Sequence, residues 1–132
     1  MSRIYQLGDL QYAIMRILWA EGEATASQVH MTLFPERGLA PTTIATMLKK
    51  MEAKGVVDHR TEGRQYVYRP IVAEREVRRS MVSELIDRAF QGDARALVSH
   101  LLEESDIDPK ELKNLKAMIM EKEKQEGKGH DE

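Results

Sequence analysis

The sequence predicts a mainly α-helical protein with one small β-hairpin, and three observations support this. Apolar residues recur at helical spacing before residue 55 and again after residue 73. The spacing changes to two only in between. Aromatic residues make up 5% of the chain, whereas it has eight methionines. A core of aliphatic and methionine side chains suits helix-on-helix packing better than sheet-on-sheet packing.

The composition restricts the functions that the protein can have. The 132 residues suffice for one domain or two small ones and include no cysteine, which excludes disulfides, thiolate metal ligands and cysteine nucleophiles. No apolar run approaches the roughly 20 residues that span a bilayer, and the first five residues lack the apolar stretch of a signal peptide. We therefore expect a cytoplasmic protein that is not inserted into a membrane.

Three short amphipathic helices are predicted before residue 55. The first runs from about Asp9 to Ala20 and is followed by a polar turn at residues 21–24. Thr25 and Gln28 have the spacing of a capping box, which predicts a second helix that is broken by residues 34–38. The third begins at Pro41, ends at Lys54-Gly55, and has an apolar stripe of Ile44, Met47, Leu48 and Met51.

A β-hairpin follows the third helix. Residues 56–61 and 65–69 are rich in strand-forming residues and are separated by a turn at Gly63, and Pro70 ends the second strand. Three helices and a hairpin in this order predict a winged helix-turn-helix. In that fold the third helix enters the major groove of DNA, and the hairpin, called the wing, lies along the backbone or minor groove.

The second half of the chain predicts a helical dimerisation module over residues 73–121, after a winged-helix domain over residues 1–72. A long helix over residues 73–90 is followed by two shorter ones with Asp93 and Asp108 at their starts. These helices are too few to enclose a core, so we expect a second copy to cover their apolar stripes. Residues 122–132 are expected to form a flexible charged tail. The predicted dimer contacts are Val77, Met81, Leu85, Leu97, Leu101, Leu112, Leu115 and Ile119.

The charge is unevenly distributed along the chain, although 20 basic residues nearly balance 22 acidic ones. Residues 37–69 hold seven Lys and Arg against three Asp and Glu, whereas residues 73–132 carry a net charge of −4. A polyanion would bind the first of these segments. A solvated helix face would also explain the threonines and lysines, but the cationic hairpin beside them favours DNA. The predicted DNA contacts are Thr42, Thr43, Ala45, Thr46, Lys49, Lys50, Arg60 and Arg64.

No pattern predicts an enzyme, a metal site or a cofactor. The four histidines are scattered and show no metal-ligand spacing, and no nucleophile or phosphate-binding motif occurs. The acidic residues between 103 and 108 lie at the end of one predicted helix and the start of the next, where carboxylates stabilise the N-terminus of a helix. We therefore interpret them as solvated capping residues and not as a metal or acid–base cluster. We expect Tyr66 and Tyr68, which share one face of their strand, to be core residues.

The order and spacing of several segments resemble the penicillinase-repressor family of bacterial transcription regulators, which includes BlaI and MecI and has copper-responsive relatives. The resemblance covers about residues 7–119. Its segments are LGDL at 7–10, Met15, ILW at 17–19, TTIAT at 42–46, EAKGVV at 52–57, GRQYVYRP at 63–70, FQGD at 90–93 and LV at 97–98.

The resemblance implies a homodimeric repressor that binds a palindromic operator. In related repressors, a membrane sensor of β-lactams triggers proteolysis at an Asn-Phe bond after the Gly-Asp pair, and this position corresponds to His100-Leu101 here. The copper-responsive relatives carry C-terminal cysteine pairs, which this chain lacks. Ala45 stands where the staphylococcal members have an arginine, so the operator need not be shared. The alternative function from another class is a winged helix that contacts a partner protein.

Overall fold

A computed structural model describes residues 5–130 and confirms the predicted fold class. Within that range the chain forms six α-helices and one three-stranded antiparallel sheet. The elements are α1 (Asp9–Glu21), β1 (Ala24–Thr25), α2 (Ala26–Arg37), α3 (Pro41–Ala53), β2 (Val57–Glu62), β3 (Gln65–Pro70), α4 (Glu74–Phe90), α5 (Ala94–Glu104) and α6 (Pro109–His130).

The chain divides into two compact units at a point inside α4, where the first ends at Leu85 and the second begins at Ile86. The predicted domain boundary at residue 72 precedes α4 instead. The difference arises because Val77, on the second turn of α4, is fully buried in the core of the first unit. The start of α4 therefore packs as part of the winged helix.

The core of the first unit joins the faces of four helices and the sheet. Ile14 and Leu18 of α1 meet Ile44 and Leu48 of α3, and all four side chains are fully buried. Trp19 is half-buried, and its indole Nε1 donates a hydrogen bond to the Val72 carbonyl at 2.9 Å. This bond ties α1 to the segment that follows the hairpin.

The sheet contains one strand that was expected to be a polar turn. β1 pairs with β3, with Ala24 opposite Tyr68 and Thr25 opposite Val67, and β2 pairs with the other edge of β3. A two-residue strand is too short to show alternation, and its partner lies far along the chain, so the prediction of a turn at Ala24 was wrong. β1 anchors the hairpin to the segment between α1 and α2.

Helix α2 runs through the residues that were expected to break it. Its start is as predicted, since the Thr25 hydroxyl accepts from the Gln28 amide at 3.1 Å in a capping box. Pro35 lies inside the last turn of α2, where it removes one backbone hydrogen-bond donor. The helix tolerates this loss because only a few helical residues follow Pro35. The helix ends instead at Gly38, which adopts a left-handed conformation with φ 59°.

The second unit has no buried residue between Ile86 and Gly127. Asp93 caps α5 and accepts from the Ala96 amide at 3.2 Å, and Asp108 caps α6 and accepts from the Glu111 amide at 2.8 Å, as their positions predicted. The helix α6 continues to His130, so residues 122–130 are helical in the structure where a flexible tail was expected. Residues 131–132 of that predicted tail lie outside the described range.

Candidate nucleic-acid interface

Helix α3 has a buried face and an exposed polar face. Its buried stripe consists of Ile44, Leu48 and Met51, all fully buried, and Pro41 at the first helical position starts the helix as predicted. The helical period then turns the residues between the stripe positions outward. The exposed residues include Thr42, Thr43, Thr46, Lys49 and Lys50, whereas Ala45 is half-buried at the edge of this face.

The wing extends beside α3 and ends in a tight turn. Gly63 adopts φ 64° there, a conformation that favours glycine, and Arg64 follows it with an exposed side chain. Within residues 5–130, Lys49, Lys50 and Arg64 make no ion pair or hydrogen bond through their side chains. These three cations are therefore available to a polyanion.

Arg60, predicted as a DNA contact, is instead engaged within the chain. Its guanidinium is ion-paired with Glu23 and also donates to Glu62, from Nη2 to Oε2 at 2.9 Å. The hydrogen bond from Arg60 lowers the pKa of Glu23, and the hydrogen bond to Glu23 raises the pKa of Arg60. Because two carboxylates neutralise this cation, the structure does not support its assignment as a phosphate contact.

Arg69 is neutralised on the same face of the sheet. Its guanidinium binds both carboxylate oxygens of Asp58, at 2.6 Å and 3.1 Å. This ion pair could not be found from sequence spacing, because it depends on Asp58 lying opposite Arg69 in the hairpin register. The positive segment of residues 37–69 therefore presents fewer free cations than its composition predicts.

The Asp58–Arg69 pair predicts a pH dependence of stability. The hydrogen bond from Arg69 lowers the pKa of Asp58 below its ordinary value of 3.8, so the contribution of the pair is present above that pH and is lost as pH falls through the lowered pKa. Asp58→Asn should lower the melting temperature slightly at pH 6, and this difference should vanish in strong acid. A difference of the same size at both pH values would contradict the assignment.

An aromatic cluster joins the wing to the end of α3. His59 of β2 stacks on Tyr66 of β3 with ring centroids 4.0 Å apart, and its Nδ1 is hydrogen-bonded to the Glu52 carboxylate. Tyr68 is 3% exposed, as expected of a core residue, and burial raises its pKa. Tyr66 is 45% exposed, so its assignment to the core was wrong. Sequence analysis missed His59 and Glu52, since only the folded hairpin brings them together.

A concave notch with a volume of about 380 Å³ lies between α3 and the wing. Ala45 and Lys49 line its α3 side, and Arg64 and Tyr66 line its wing side. Ser27, in the first turn of α2, also lines it. The structure thus gathers three of the predicted DNA contacts, Ala45, Lys49 and Arg64, around one notch with cations on both sides.

The predicted dimer contacts are divided between the two units. Val77 is fully buried in the core of its own chain, so its assignment to a dimer surface was wrong, and Met81 packs against that core. Leu85 is exposed and Leu97 is half-buried. The remaining predicted contacts, all exposed, are Leu101, Leu112, Leu115 and Ile119.

The residues of the candidate cleavage bond lie in the middle of α5. His100 and Leu101 are both exposed, and the His100 ring lies 5.8 Å from that of Phe90. No group of three or more His, Asp or Glu side chains that could hold a metal ion occurs in the part of the chain that the structure describes. No helix between residues 5 and 130 is both long and apolar enough to cross a membrane.

Comparison with known proteins identifies the family. Residues 7–121 match the family model described as "Penicillinase repressor". The chain belongs to this family. The penicillinase repressor of Bacillus licheniformis is 27% identical over 121 residues, which cover 92% of this chain and 94% of the relative. Transcriptional regulator BlaI of Mycobacterium tuberculosis is 34% identical over 110 residues, covering 82% and 80%.

Among solved structures, the chain is similar to the solution structure of the DNA-binding domain of the repressor BlaI. It is 32% identical, with a TM-score of 0.51, and the match covers 58% of this chain and 93% of that domain. This similarity confirms the winged-helix fold. Members of the penicillinase-repressor family are DNA-binding transcriptional repressors and not enzymes. As a member of this family, the chain is not an enzyme.

Proposed function

We propose that this penicillinase-repressor family protein binds operator DNA as a homodimer and thereby represses transcription. The observation that carries the proposal is the exposed face of α3, on which the threonine hydroxyls and the free Lys49 and Lys50 lie beside the free Arg64 of the wing. The threonines suit base edges and phosphates, whereas the cations suit phosphates. Helix α3 would enter the major groove and the wing would follow the backbone.

The dimer is supported by the apolar surface of the second unit. Leu101 and Leu115 line a groove between α5 and α6, together with other apolar side chains, and no residue between Ile86 and Gly127 is buried. A helical unit without a core of its own gains stability by covering such a surface, and burial contributes about 25 cal/mol per Å². A second copy would also place two α3 helices on the half-sites of a palindrome.

A gel shift with DNA from upstream of its own gene tests the function. The protein should retain this fragment in the presence of excess scrambled competitor of equal length. Binding that the scrambled DNA abolishes equally well would contradict a sequence-specific repressor. No binding to either DNA would instead favour a winged helix that contacts a partner protein.

Thr46 and Lys50 are expected to make different kinds of contact. Thr46→Ala should cost about 1–3 kcal/mol of binding free energy on the operator and little on random DNA, because a base contact carries sequence information. Lys50→Ala should weaken binding to both DNAs, because a phosphate contact carries no sequence information. It should also reduce the slope of log K against log salt by about one, because one phosphate contact is lost. Fluorescence anisotropy titrations at several salt concentrations measure both. Equal losses on all sequences after Thr46→Ala would contradict its base-reading role.

Release by proteolysis between His100 and Leu101 is a further part of the proposal. Both residues are exposed on α5, and cutting this helix would remove part of the apolar surface that we assign to the dimer. Two half-sites would then be bound independently and weakly. Mass spectrometry of the protein recovered from β-lactam-treated cells should show a fragment that ends at His100. Recovery of the intact chain alone, while the repressed genes are transcribed, would contradict this step.

A further inference from the structure

The outer half of the wing has few contacts with the rest of the first unit. Residues 60–66 are all exposed, and they include the free cation Arg64 at the turn. A two-stranded ribbon of this kind is marginally stable when it stands alone. The ion pair of Arg60 with Glu23 and the pairing of β1 with β3 hold the ribbon to the segment between α1 and α2. The position of Arg64 relative to α3 depends in addition on the side chains that fasten the ribbon to that helix.

One connected set of side chains provides this fastening. Glu52, in the last turn of α3, accepts a hydrogen bond from Nδ1 of His59 on β2, because an ionised carboxylate can only accept. His59 in turn stacks on Tyr66 of β3 at 4.0 Å, with ring planes 17° apart. No other side-chain hydrogen bond joins α3 to the hairpin among residues 5–130.

The fastening lies next to the notch between the two sets of cations. Lys49, one turn before Glu52 on α3, lines one side of the notch, and Arg64, two residues before Tyr66, lines the other. The hairpin register places His59 opposite Tyr68 and Tyr66 opposite Thr61, so the stacked rings lie diagonally on one face of the sheet. The stack thereby contributes, with the Arg60–Glu23 ion pair, to where the wing tip stands relative to Lys49.

We propose that Glu52, His59 and Tyr66 form a positioning relay that holds the wing tip so that Arg64 and Lys49 bind the operator backbone at the same time. The proposal rests on the proposed function and adds three residues that touch no DNA in that role. Holding the wing in its bound position before DNA arrives removes part of the ordering cost of binding. The relay also gives a role to Glu52, an anion on a helix that approaches a polyanion.

The sign of the expected effect separates the relay from simple charge repulsion. Glu52→Ala removes a negative charge near the DNA, which by itself strengthens binding. If Glu52 positions the wing, the same substitution weakens operator binding, by about 3- to 10-fold, because Arg64 must then be ordered on binding. The salt slope should also fall by up to about one, because a phosphate contact of Arg64 is partly lost.

A double-mutant cycle tests whether Glu52 acts through the wing tip. Glu52→Ala should weaken operator binding in the wild-type background and have no further effect in an Arg64→Ala background. The reason is that free-energy changes from substitutions at residues that act together do not add. Operator affinities are measured by anisotropy on the full-length chain, with melting temperatures to verify folding. Equal losses in both backgrounds, or tighter binding after Glu52→Ala, would overturn the relay.

Conservative variants provide the matched controls. Glu52→Gln keeps an acceptor for His59 but removes the same negative charge as Glu52→Ala, so it should bind the operator at least as tightly as the wild type does. Tyr66→Phe keeps the stacked ring and should also be near wild type, whereas Tyr66→Thr keeps strand propensity but loses the ring and should match Glu52→Ala. A loss of equal size in Tyr66→Phe would show that the hydroxyl contacts DNA directly and would overturn the role of Tyr66 as a positioning residue.

The wild-type protein separates failure of the relay from failure of the proposed function. If the wild type does not prefer its own upstream DNA over scrambled DNA, the proposed function is wrong and the relay falls with it. If the wild type shows that preference and the cycle is additive, the function stands and the relay alone is wrong.

Discussion

Leu115→Asp is expected to give a monomer and to weaken binding to a full palindromic operator by on the order of 10²-fold, because two linked half-site contacts become independent. Leu115 lies on α6 and lines the apolar groove of the second unit. A carboxylate there would have to be desolvated in the proposed dimer. Sedimentation velocity at micromolar concentration should show the 15.1 kDa monomer, whereas the wild type should sediment at twice that mass.

Asn114→Asp is the matched control, since it adds the same charge at the neighbouring position, which does not line the groove. This variant should remain dimeric and bind the full operator as the wild type does. Binding of Leu115→Asp to an isolated half-site should be unchanged, because no DNA contact is altered. A wild type that sediments as a monomer, or a Leu115→Asp variant that remains dimeric, would contradict the proposed interface.

Val77→Asp is expected to cost about 3–5 kcal/mol of folding free energy, because it leaves an unpaired carboxylate in an apolar core. Val77 is fully buried among the helices of the first unit. Against a typical total stability of about 5–15 kcal/mol, this loss removes a large fraction of the folded state at growth temperature. Thermal denaturation followed by circular dichroism measures it.

Val82→Asp provides the comparison on the same helix. Val82 is 44% exposed, and an exposed substitution normally changes stability by less than about 0.5 kcal/mol. The two variants therefore distinguish a core position from a surface position with the same chemical change. If Val77→Asp melted like the wild type but sedimented as a monomer, Val77 would be a dimer contact, as the amphipathic pattern alone suggested.

The two units carry opposite charge, and this bears on specificity. The second unit, residues 86–132, has a net charge of −4, and in the first unit Glu23 and Asp58 neutralise Arg60 and Arg69. Few free cations remain for phosphates, so nonspecific binding, which depends on phosphate contacts, should be modest. Discrimination between sequences then depends on a few contacts on α3, made twice by the proposed dimer.

Local signals predicted most of the elements correctly. Pro41 starts α3, the Thr25 capping box starts α2, Asp93 and Asp108 cap α5 and α6, and the alternating residues around Gly63 form the hairpin. Each of these depends on residues within a few positions of one another. Local signals failed at Pro35, whose effect depended on how little of α2 remained after it, and at residues 122–130, which are helical although a flexible tail was expected.

The amino-acid sequence by itself determined the order of the helices and the hairpin, the exposed Thr and Lys face of α3 and the family, because periodicity, caps and turns are properties of neighbouring residues. Tertiary structure decided which residues are free to act. It buried Val77, added β1 to the sheet, paired Arg60 with Glu23 and joined Glu52 to His59. These outcomes depend on contacts between residues far apart in the chain, whose distances no local pattern contains.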